Sequence, residues 1–279
     1  MPLVMPQRAN RLTLPRVGTP LARGSPLGQG LVAFHAFNTG GGSIVPDGIP
    51  GGLPLSVKGS ATVVRGGLLC DAAGEGAELT LLPRHQLALP ITVACRVMPL
   101  GSADNNTGCW GILENNSDAF PYASIHIYVQ ADGNIWYDAN NGGSFISGSS
   151  GLAWTSFVGQ WLTLVLVFTA ARHQMYLNGQ SVINDTTTVG LAPNYSGSAL
   201  LAAGSYTGTS RNLNGLIAWG GVWNRALTQQ EAMSLYVAPM QMFASPAWQL
   251  WPLHVAAAAA ASRPIFQPRW RRQPKTRMI

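Results

Sequence analysis

Paired carboxylates are what the hydrolysis of a glycosidic bond requires, one as acid and one as nucleophile or base. The 279-residue chain has four glutamates, Glu75, Glu78, Glu114 and Glu231. Glu75 and Glu78 are three residues apart, so on a strand they would project to opposite faces. Glu231 has the spacing of a helix cap. We therefore expect no catalytic pair of glutamates.

Nucleophilic and phosphate chemistry are not indicated either. The sequence has no Gly-x-Ser-x-Gly elbow, and its glycine run at 40–42 opens no helix that could bind a phosphate. No spacing pairs Cys95 or Cys109 with His126 as nucleophile and base. With Cys70 these are three cysteines, without metal-ligand spacing, so we expect reduced and mostly buried thiols. We expect a protein that is not an enzyme, with no catalytic residue.

The elements that would position any site are strands. Residues 161–168 are rich in β-branched and aromatic types and predict a strand buried on both faces. Residues 175–182 contain Asn178-Gly179 between two apolar runs, which predicts a hairpin because a type I′ turn needs positive φ at both central residues. Residues 216–223 predict a further strand.

One short helix follows these strands. Thr228 and Glu231 have capping-box spacing, so the Thr228 hydroxyl can accept from the Glu231 amide while the carboxylate reaches back. Leu235 and Tyr236 can turn an apolar side to the body of the protein, and Pro239 ends the helix soon after.

Earlier segments predict the rest of the sheets. Residues 30–37 form the first strand, with His35 as an ordinary strand histidine. Residues 61–70 and 77–82 predict two strands that pair with each other around residues 71–76. Residues 90–98 alternate well, with the side chains of Ile91, Val93, Cys95 and Val97 on one face.

Two more strands, at 123–129 and 134–137, flank Asp132-Gly133, which is again a hairpin signature. The glycine- and serine-rich residues 140–151 predict a long surface loop, of the kind that carries recognition when there is any.

The order strand, Asn-Gly hairpin, strand, Trp-Asn-Arg-Ala-Leu-Thr (223–228) and short helix resembles the laminin-G-like domains of the concanavalin A-like lectin/glucanase superfamily. The resemblance covers residues 30 to about 237. It implies an all-β fold, a two-sheet antiparallel jelly-roll sandwich with one short C-terminal helix. The motifs are specific for the fold and nearly silent about activity. Related laminarinases carry their carboxylates as Glu-x-Asp-x-x-Glu, a run that this sequence lacks.

The resemblance also implies two kinds of binding site. Many such domains hold calcium, and residues 104–106 or 138–141 could contribute oxygens, although ordinary Asx turns explain the same residues. We expect no metal and no cofactor. Exposed aromatic rings stack on sugars, so the candidate glycan-binding residues are Trp110, Trp136, Tyr137 and Trp154, with Tyr206 also available. Core packing is the alternative interpretation for these rings. Rim loops 102–107 and 140–151 would complete a glycan site.

Charge divides the chain into three parts. The net charge is +6, yet no acid precedes Asp47 and none follows Glu231. We expect an extended N-terminal arm (1–29), a jelly roll (30–237) and an extended basic C-terminal tail (238–279), with both arms addressing an anionic partner. The candidate anchors in the arms are Arg8, Arg11, Arg16, Arg269, Arg271, Arg272 and Trp270.

No apolar run approaches the about 20 residues of a membrane span, and no signal peptide is visible. We therefore expect synthesis in the cytoplasm and no membrane partner. Nucleic acid is not the expected partner, because the charges of the tail are few and interrupted by prolines.

Domains with this final motif and short Arg/Pro-rich ends are similar to virion proteins of tailed bacteriophages. The leading hypothesis is a non-enzymatic capsid decoration or cement protein on the capsid exterior, with the major capsid protein or other virion proteins as partners. A homo-oligomer is expected, and a trimer would match the three-fold positions of a shell. The alternative is a carbohydrate-binding adhesin module of a phage tail or fibre. A degenerate glucanase is the third hypothesis.

Overall fold

The computed structural model describes residues 19–22, 24–37, 42–80, 89–104, 107–114, 123–141, 145–186, 198–204 and 212–243. Their strands are β1 (Leu31–Ala36), β2 (Ile44–Val45), β3 (Leu55–Lys58), β4 (Thr62–Val64), β5 (Gly67–Cys70), β6 (Gly76–Thr80), β7 (Ile91–Pro99), β8 (Thr107–Glu114), β9 (Ala123–Val129), β10 (Asn134–Asn141), β11 (Phe145–Ala153), β12 (Leu162–Phe168), β13 (His173–Leu177), β14 (Gln180–Asp185), β15 (Ser198–Gly204) and β16 (Gly215–Trp223). The helix α1 spans Gln229–Val237.

The strands form two antiparallel sheets. The back sheet has the order β14-β13-β12-β7-β16-β5-β4, with β1 also paired to β16. The front sheet has the order β11-β10-β9-β8-β15-β6-β3-β2. This arrangement confirms the all-β jelly-roll sandwich with one short helix that the sequence predicts.

Apolar side chains fill two layers. Between the sheets, Ile91, Val93, Cys95 and Val97 of β7 are buried, as their alternation predicts. The opposite face of the back sheet is buried too, because α1 and the first described residues of the chain cover it. All seven residues of β12 are therefore buried, which confirms the predicted two-sided burial. The three cysteines are free and buried, and burial raises the pKa of the Cys109 thiol to about 12.

Both hairpin signatures form hairpins. Asn178 and Gly179 have φ of 51° and 78°, the positive values that a type I′ turn needs. The Asn178 side chain also accepts from the Thr163 amide at 2.8 Å, which fixes the turn to β12. Gly133 has a φ of 74°, and its amide donates to the Gln130 carbonyl, so the second hairpin has a longer loop with glycine in the left-handed region.

The predicted pairing of 61–70 with 77–82 is wrong. The first segment folds back on itself as the β4–β5 hairpin of the back sheet, because Gly66 at a φ of 122° allows a turn there. The second segment is β6, in the front sheet. The Glu75 carboxylate holds the crossover by accepting from Ser60 Oγ (2.6 Å) and from the amides of Asp71 (2.6 Å) and Ala72 (2.8 Å).

The predicted long loop at 140–151 is also wrong. Most of it belongs to β11, the edge strand of the front sheet. The Ser150 hydroxyl donates to the Ile135 carbonyl at 2.8 Å, and the Tyr137 ring occupies the space that a side chain at Gly148 would need. The small residues of this segment therefore form an edge strand, and the missing side chain at Gly148 leaves space for the ring of Tyr137 on the neighbouring strand.

The end of the predicted N-terminal arm packs on the jelly roll. Leu21 forms a bridge with Phe243, and the Ala22 amide donates to the Met242 carbonyl at 2.8 Å. The 3-10 helix Pro26–Gly28 buries Leu27. Residues 1–18 and 244–279, which hold most of both predicted arms, lie outside the described residues.

Arg225 joins the N-terminal segment to the helix. Its Nε donates to the Gln29 carbonyl at 2.7 Å, and Nη2 donates to the Pro26 carbonyl at 2.5 Å. Nη1 and Nη2 also bind both carboxylate oxygens of Glu231, at 3.0 and 2.6 Å. Glu231 in turn accepts from the Thr228 amide and donates its own amide to the Thr228 hydroxyl, which confirms the capping box.

A buried polar pair lies on β1. His35 Nε2 is 3.0 Å from the Leu53 carbonyl oxygen and 4.0 Å from Asp47 Oδ2. Burial lowers the pKa of His35 to about 4, despite the contact with Leu53. Burial raises the pKa of Asp47 to about 6, although the amides of Ile49 and Phe34 donate to its carboxylate.

We expect the substitution Arg225→Lys to destabilise the fold by about 1–2 kcal/mol, because an ammonium cannot make the forked contacts with Glu231 and the two carbonyls of the N-terminal segment together. Urea unfolding measures the loss. Arg172→Lys, on an exposed turn, is the matched control and should change stability by less than about 0.5 kcal/mol. Equal effects of the two substitutions would contradict this role for Arg225.

The buried pair predicts opposite pH dependences for two variants. Unfolded His35 titrates near 6.5 and unfolded Asp47 near 3.8. Folding therefore releases a proton from His35 between pH 4 and 6.5, so the His35 contribution to stability rises with pH there. Folding adds a proton to Asp47 between pH 3.8 and 6, so the Asp47 contribution to stability falls with pH.

Relative to the parent, the stability of Asp47→Asn should rise with pH between 4 and 6, by up to about 1.4 kcal/mol per pH unit. That of His35→Gln should fall over the same interval. Urea unfolding at pH 4, 5, 6 and 7 measures how the stability of each protein changes with pH. If stability changed with pH in the same way in the parent and both variants, the opposite contributions of His35 and Asp47 would be refuted.

Candidate functional site

Three of the four rings predicted to bind glycans are buried, which corrects that part of the prediction. Trp110 is 1% exposed, and Tyr137 and Trp154 are 0% exposed. The Trp110 indole N–H donates to the Gly221 carbonyl of the back sheet at 3.2 Å. Tyr137 packs edge-on against Phe168 inside the sandwich. These rings hold the two sheets together and cannot stack on an external sugar.

Trp136 is the one of the four that is partly exposed. Its indole N–H lies 3.1 Å from both carboxylate oxygens of Asp132. The same carboxylate accepts from the Asn134 amide at 2.9 Å and from its side-chain nitrogen at 2.8 Å. The Asn134 amide foremost, with the Asn134 side chain and the indole, holds the pKa of Asp132 below its usual range. The ring is therefore fixed beside an ionised carboxylate.

The β9–β10 hairpin sets this arrangement. Trp136 pairs with Tyr128 on β9 and with Ser149 on β11, so the three residues form one row across the front sheet. Alternation along β10 buries Ile135 and Tyr137 in the sandwich and directs Trp136 to the outer face. We call Tyr128, Asp132, Asn134, Trp136 and Ser149 the Trp136 face.

The next row holds a histidine–aspartate pair. His126 Nδ1 is 2.5 Å from Asp138 Oδ1, and both residues are 5% exposed. The His126 ring lies 4.8 Å from that of Tyr128, which connects the pair to the Trp136 face. Ser147 is in register with Asp138 and not with His126. The register therefore does not place this serine beside the histidine as a nucleophile would be.

The described glutamates do not meet. Glu75 closes the crossover before β6, and burial would raise its pKa, but the Ser60 hydroxyl and the amides of Ala72 and Asp71 together lower it. Glu78 forms an ion pair with Lys58. Glu231 caps the helix. This agrees with the expectation of separate carboxylates, and the absence of enzyme activity itself stays a prediction.

Of the residues that could contribute calcium oxygens, Asp104 binds a loop amide and Asp138 pairs with His126. Residues 105 and 106 lie outside the described residues. Asp104 Oδ2 accepts from the Asn212 amide at 2.8 Å, and the Asp104 amide donates to the Asn212 carbonyl. The Asn214 side chain donates to the Ser102 carbonyl at 3.1 Å, which ties the start of rim loop 102–107 to the residue just before β16. Within the described ranges no three or more His, Cys, Asp or Glu residues cluster as metal ligands.

Several candidates lie outside the described residues. They are Tyr206 and the arm residues Arg8, Arg11, Arg16, Arg269, Trp270, Arg271 and Arg272. In the part of the chain that is described, no helix is long and apolar enough to cross a bilayer.

Sequence reasoning missed the partners of Trp136. Asp132 precedes it by four residues across the hairpin turn, and an aspartate at the start of such a turn was a usable signal. Tyr128 and Ser149 lie next to Trp136 only because of the strand register, which cannot be read from the sequence.

Comparison with solved structures supports the fold. A Trypanosoma rangeli sialidase in complex with sialic acid matches 77% of this chain and 34% of its own, with 16% identity and a TM-score of 0.59. Domain 4 of an extracellular arabinanase from Geobacillus stearothermophilus, in complex with arabinotriose, matches 74% of this chain and 98% of its own, with 16% identity and a TM-score of 0.51.

The binding domain of Paraclostridial Mosquitocidal Protein 1 matches 75% of this chain and 52% of its own, with 14% identity and a TM-score of 0.55. The chain thus spans about a third of the length of the sialidases it resembles. At these identities the likeness shows the fold alone. Among curated proteins no sequence matches the chain.

The family model for concanavalin A-like lectin/glucanases, of the laminin G type, matches residues 74–233, more than half of the chain. It spans the strands that build the Trp136 face and the helix cap at Thr228. The chain belongs to the concanavalin A-like lectin/glucanase superfamily.

Proposed function

We propose that the chain is a non-enzymatic carbohydrate-binding module and that the Trp136 face binds the sugar. The observation that carries the proposal is a partly exposed tryptophan held by a carboxylate on the outer face of a sheet. Its sequence neighbours Ile135 and Tyr137 are buried, so this one ring is set apart from the core.

The face has the chemistry that sugars need. The apolar face of a pyranose or furanose stacks on an aromatic ring, and a rigid ring loses little conformational freedom on binding. The Asp132 carboxylate accepts three hydrogen bonds from Asn134 and Trp136 and still offers lone pairs to sugar hydroxyls. Ser149 is exposed and adds a hydroxyl on the neighbouring strand, in register with Trp136.

Two of the similar structures favour this proposal over a purely structural role. One is an arabinanase domain in complex with arabinotriose, and the other is the binding domain of a toxin. Arabino-oligosaccharides are therefore the first ligands to test on this chain.

We expect Trp136→Ala to reduce affinity for a bound oligosaccharide by at least about tenfold, because stacking on one ring contributes about 1–1.5 kcal/mol or more. Glycan-array screening of the full chain identifies a ligand, and calorimetric titration measures the affinity. The matched control is Trp161→Ala, which removes another partly exposed tryptophan that lies under Arg96 on the opposite sheet. Equal losses in both variants, or no ligand on the array, would count against the proposal.

A second candidate function is a phage virion component, as a capsid decoration protein or as part of a tail fibre. The observation that favours it is the Leu21–Phe243 bridge, which puts the start and the end of the described domain side by side. The sequence before Leu21 holds three basic residues and that after Phe243 holds six, with no acid in either. Two basic segments that leave from one point can address one anionic surface together.

For this second function we expect the full chain to co-sediment with undecorated capsid shells. Replacing Arg8, Arg11 and Arg16, or Arg269, Arg271 and Arg272, by glutamine should weaken that binding by at least about tenfold at physiological salt. Glutamine at Arg65 and Arg172, two exposed arginines of the folded domain, is the matched control. A full chain that stays in the supernatant would eliminate the decoration role.

A further inference from the structure

We infer that the Trp136 face selects uncharged oligosaccharides and discriminates against those that carry sialic or uronic acid. The inference rests on the proposed carbohydrate-binding function and names the charge class of its ligand. It is not what the likeness to a sialidase structure would suggest, since sialic acid carries a carboxylate.

Charge on the described front sheet carries the inference. The outer-face carboxylates are Asp132 in the β9–β10 turn, Asp138 on β10, which is paired with His126, and Glu78 on β6. The one lysine among the described front-sheet strands, Lys58, is already in an ion pair with Glu78. The described arginines Arg65, Arg96, Arg172 and Arg225 belong to the back sheet, its turns and the helix cap.

Asp132 is the carboxylate that binds the Trp136 ring. Both of its oxygens lie 3.1 Å from the Trp136 indole nitrogen, so a sugar stacked on that ring sits within about 6–8 Å of the carboxylate. Asp132 is exposed, and the hydrogen bonds from Asn134 and Trp136 favour its ionised form. A ligand carboxylate would therefore approach a fixed negative charge with no described lysine or arginine beside it.

Neutral sugars meet the opposite situation. An ionised carboxylate accepts hydrogen bonds from hydroxyl groups, and such charge-assisted bonds are shorter and stronger than neutral ones. Asn134 and Ser149 add a side-chain amide and a hydroxyl, which also match sugar hydroxyls. The Trp136 face thus offers hydrogen-bond acceptors to the hydroxyl groups of a sugar. Among its described residues it has no arginine, whose guanidinium would bind a sugar carboxylate through two hydrogen bonds.

The test compares matched pairs of ligands on the full chain: a neutral oligosaccharide that binds and the same oligosaccharide carrying a terminal sialic or uronic acid. Titration calorimetry at 20 mM and 500 mM salt gives both affinities. We expect the neutral ligand to bind at least about threefold more tightly at low salt, the size of repulsion between unit charges about 6 Å apart in water. High salt should narrow that difference, because it screens like charges.

Asp132→Asn keeps an acceptor for the indole and removes the charge. In this variant we expect the acidic ligand to gain affinity relative to the neutral one and the salt dependence to disappear. Asp71→Asn, a charge removal at an exposed position between β5 and β6, is the control and should leave the ratio of affinities unchanged.

The outcomes separate this inference from the proposal beneath it. Tighter binding of the acidic ligand, or a preference that Asp132→Asn does not alter, would overturn the charge selection while leaving sugar binding in place. A chain that binds no oligosaccharide of either class would overturn both.

Discussion

One arginine side chain joins three segments of the fold. Arg225 uses all three of its side-chain nitrogens, binding two carbonyls of the N-terminal segment, the Ala226 carbonyl and both oxygens of Glu231. The buried Thr92 hydroxyl on β7 also holds the segment from Arg225 to Leu227, because it donates to the Arg225 carbonyl and accepts from the Leu227 amide. A planar fork of donors is the group that can join three chain segments at once. The Trp-Asn-Arg-Ala-Leu-Thr motif is therefore a structural joint between strand, helix and N-terminal segment, which is why it identifies the fold and says nothing about ligands.

The sequence predicts well wherever the determining signal is local. The Asn178-Gly179 hairpin, the Thr228–Glu231 cap and the doubly buried β12 follow from turn chemistry, capping chemistry and residue type, and all are found. Prediction fails where partners are distant in the chain. Glu75 closes a crossover between sheets through three donors, and an alternation pattern contains no sign of that.

The same limit applies to the candidate site. An aromatic residue on a strand can face either way, and the sequence alone does not separate the core rings Trp110 and Tyr137 from Trp136. What separates them is the space opposite each ring: Gly220 of the back sheet leaves room for the Trp110 ring, and Gly148 leaves room for Tyr137. Trp136 instead meets serine and tyrosine on the neighbouring strands and finds its acceptor at Asp132. A glycine opposite an aromatic residue is thus the clue that a ring turns inward.

The bridge between Leu21 and Phe243 has a mechanical consequence. If both ends of the domain are pulled, the load falls first on this short antiparallel pairing and on the bond from Ala22 to Met242. The hydrogen bonds of such a pairing break one after another under load. The two eight-stranded sheets carry none of the force until this pairing has broken. The domain can therefore hang from a tether, or be spliced into a loop of another protein, without its sandwich being stretched.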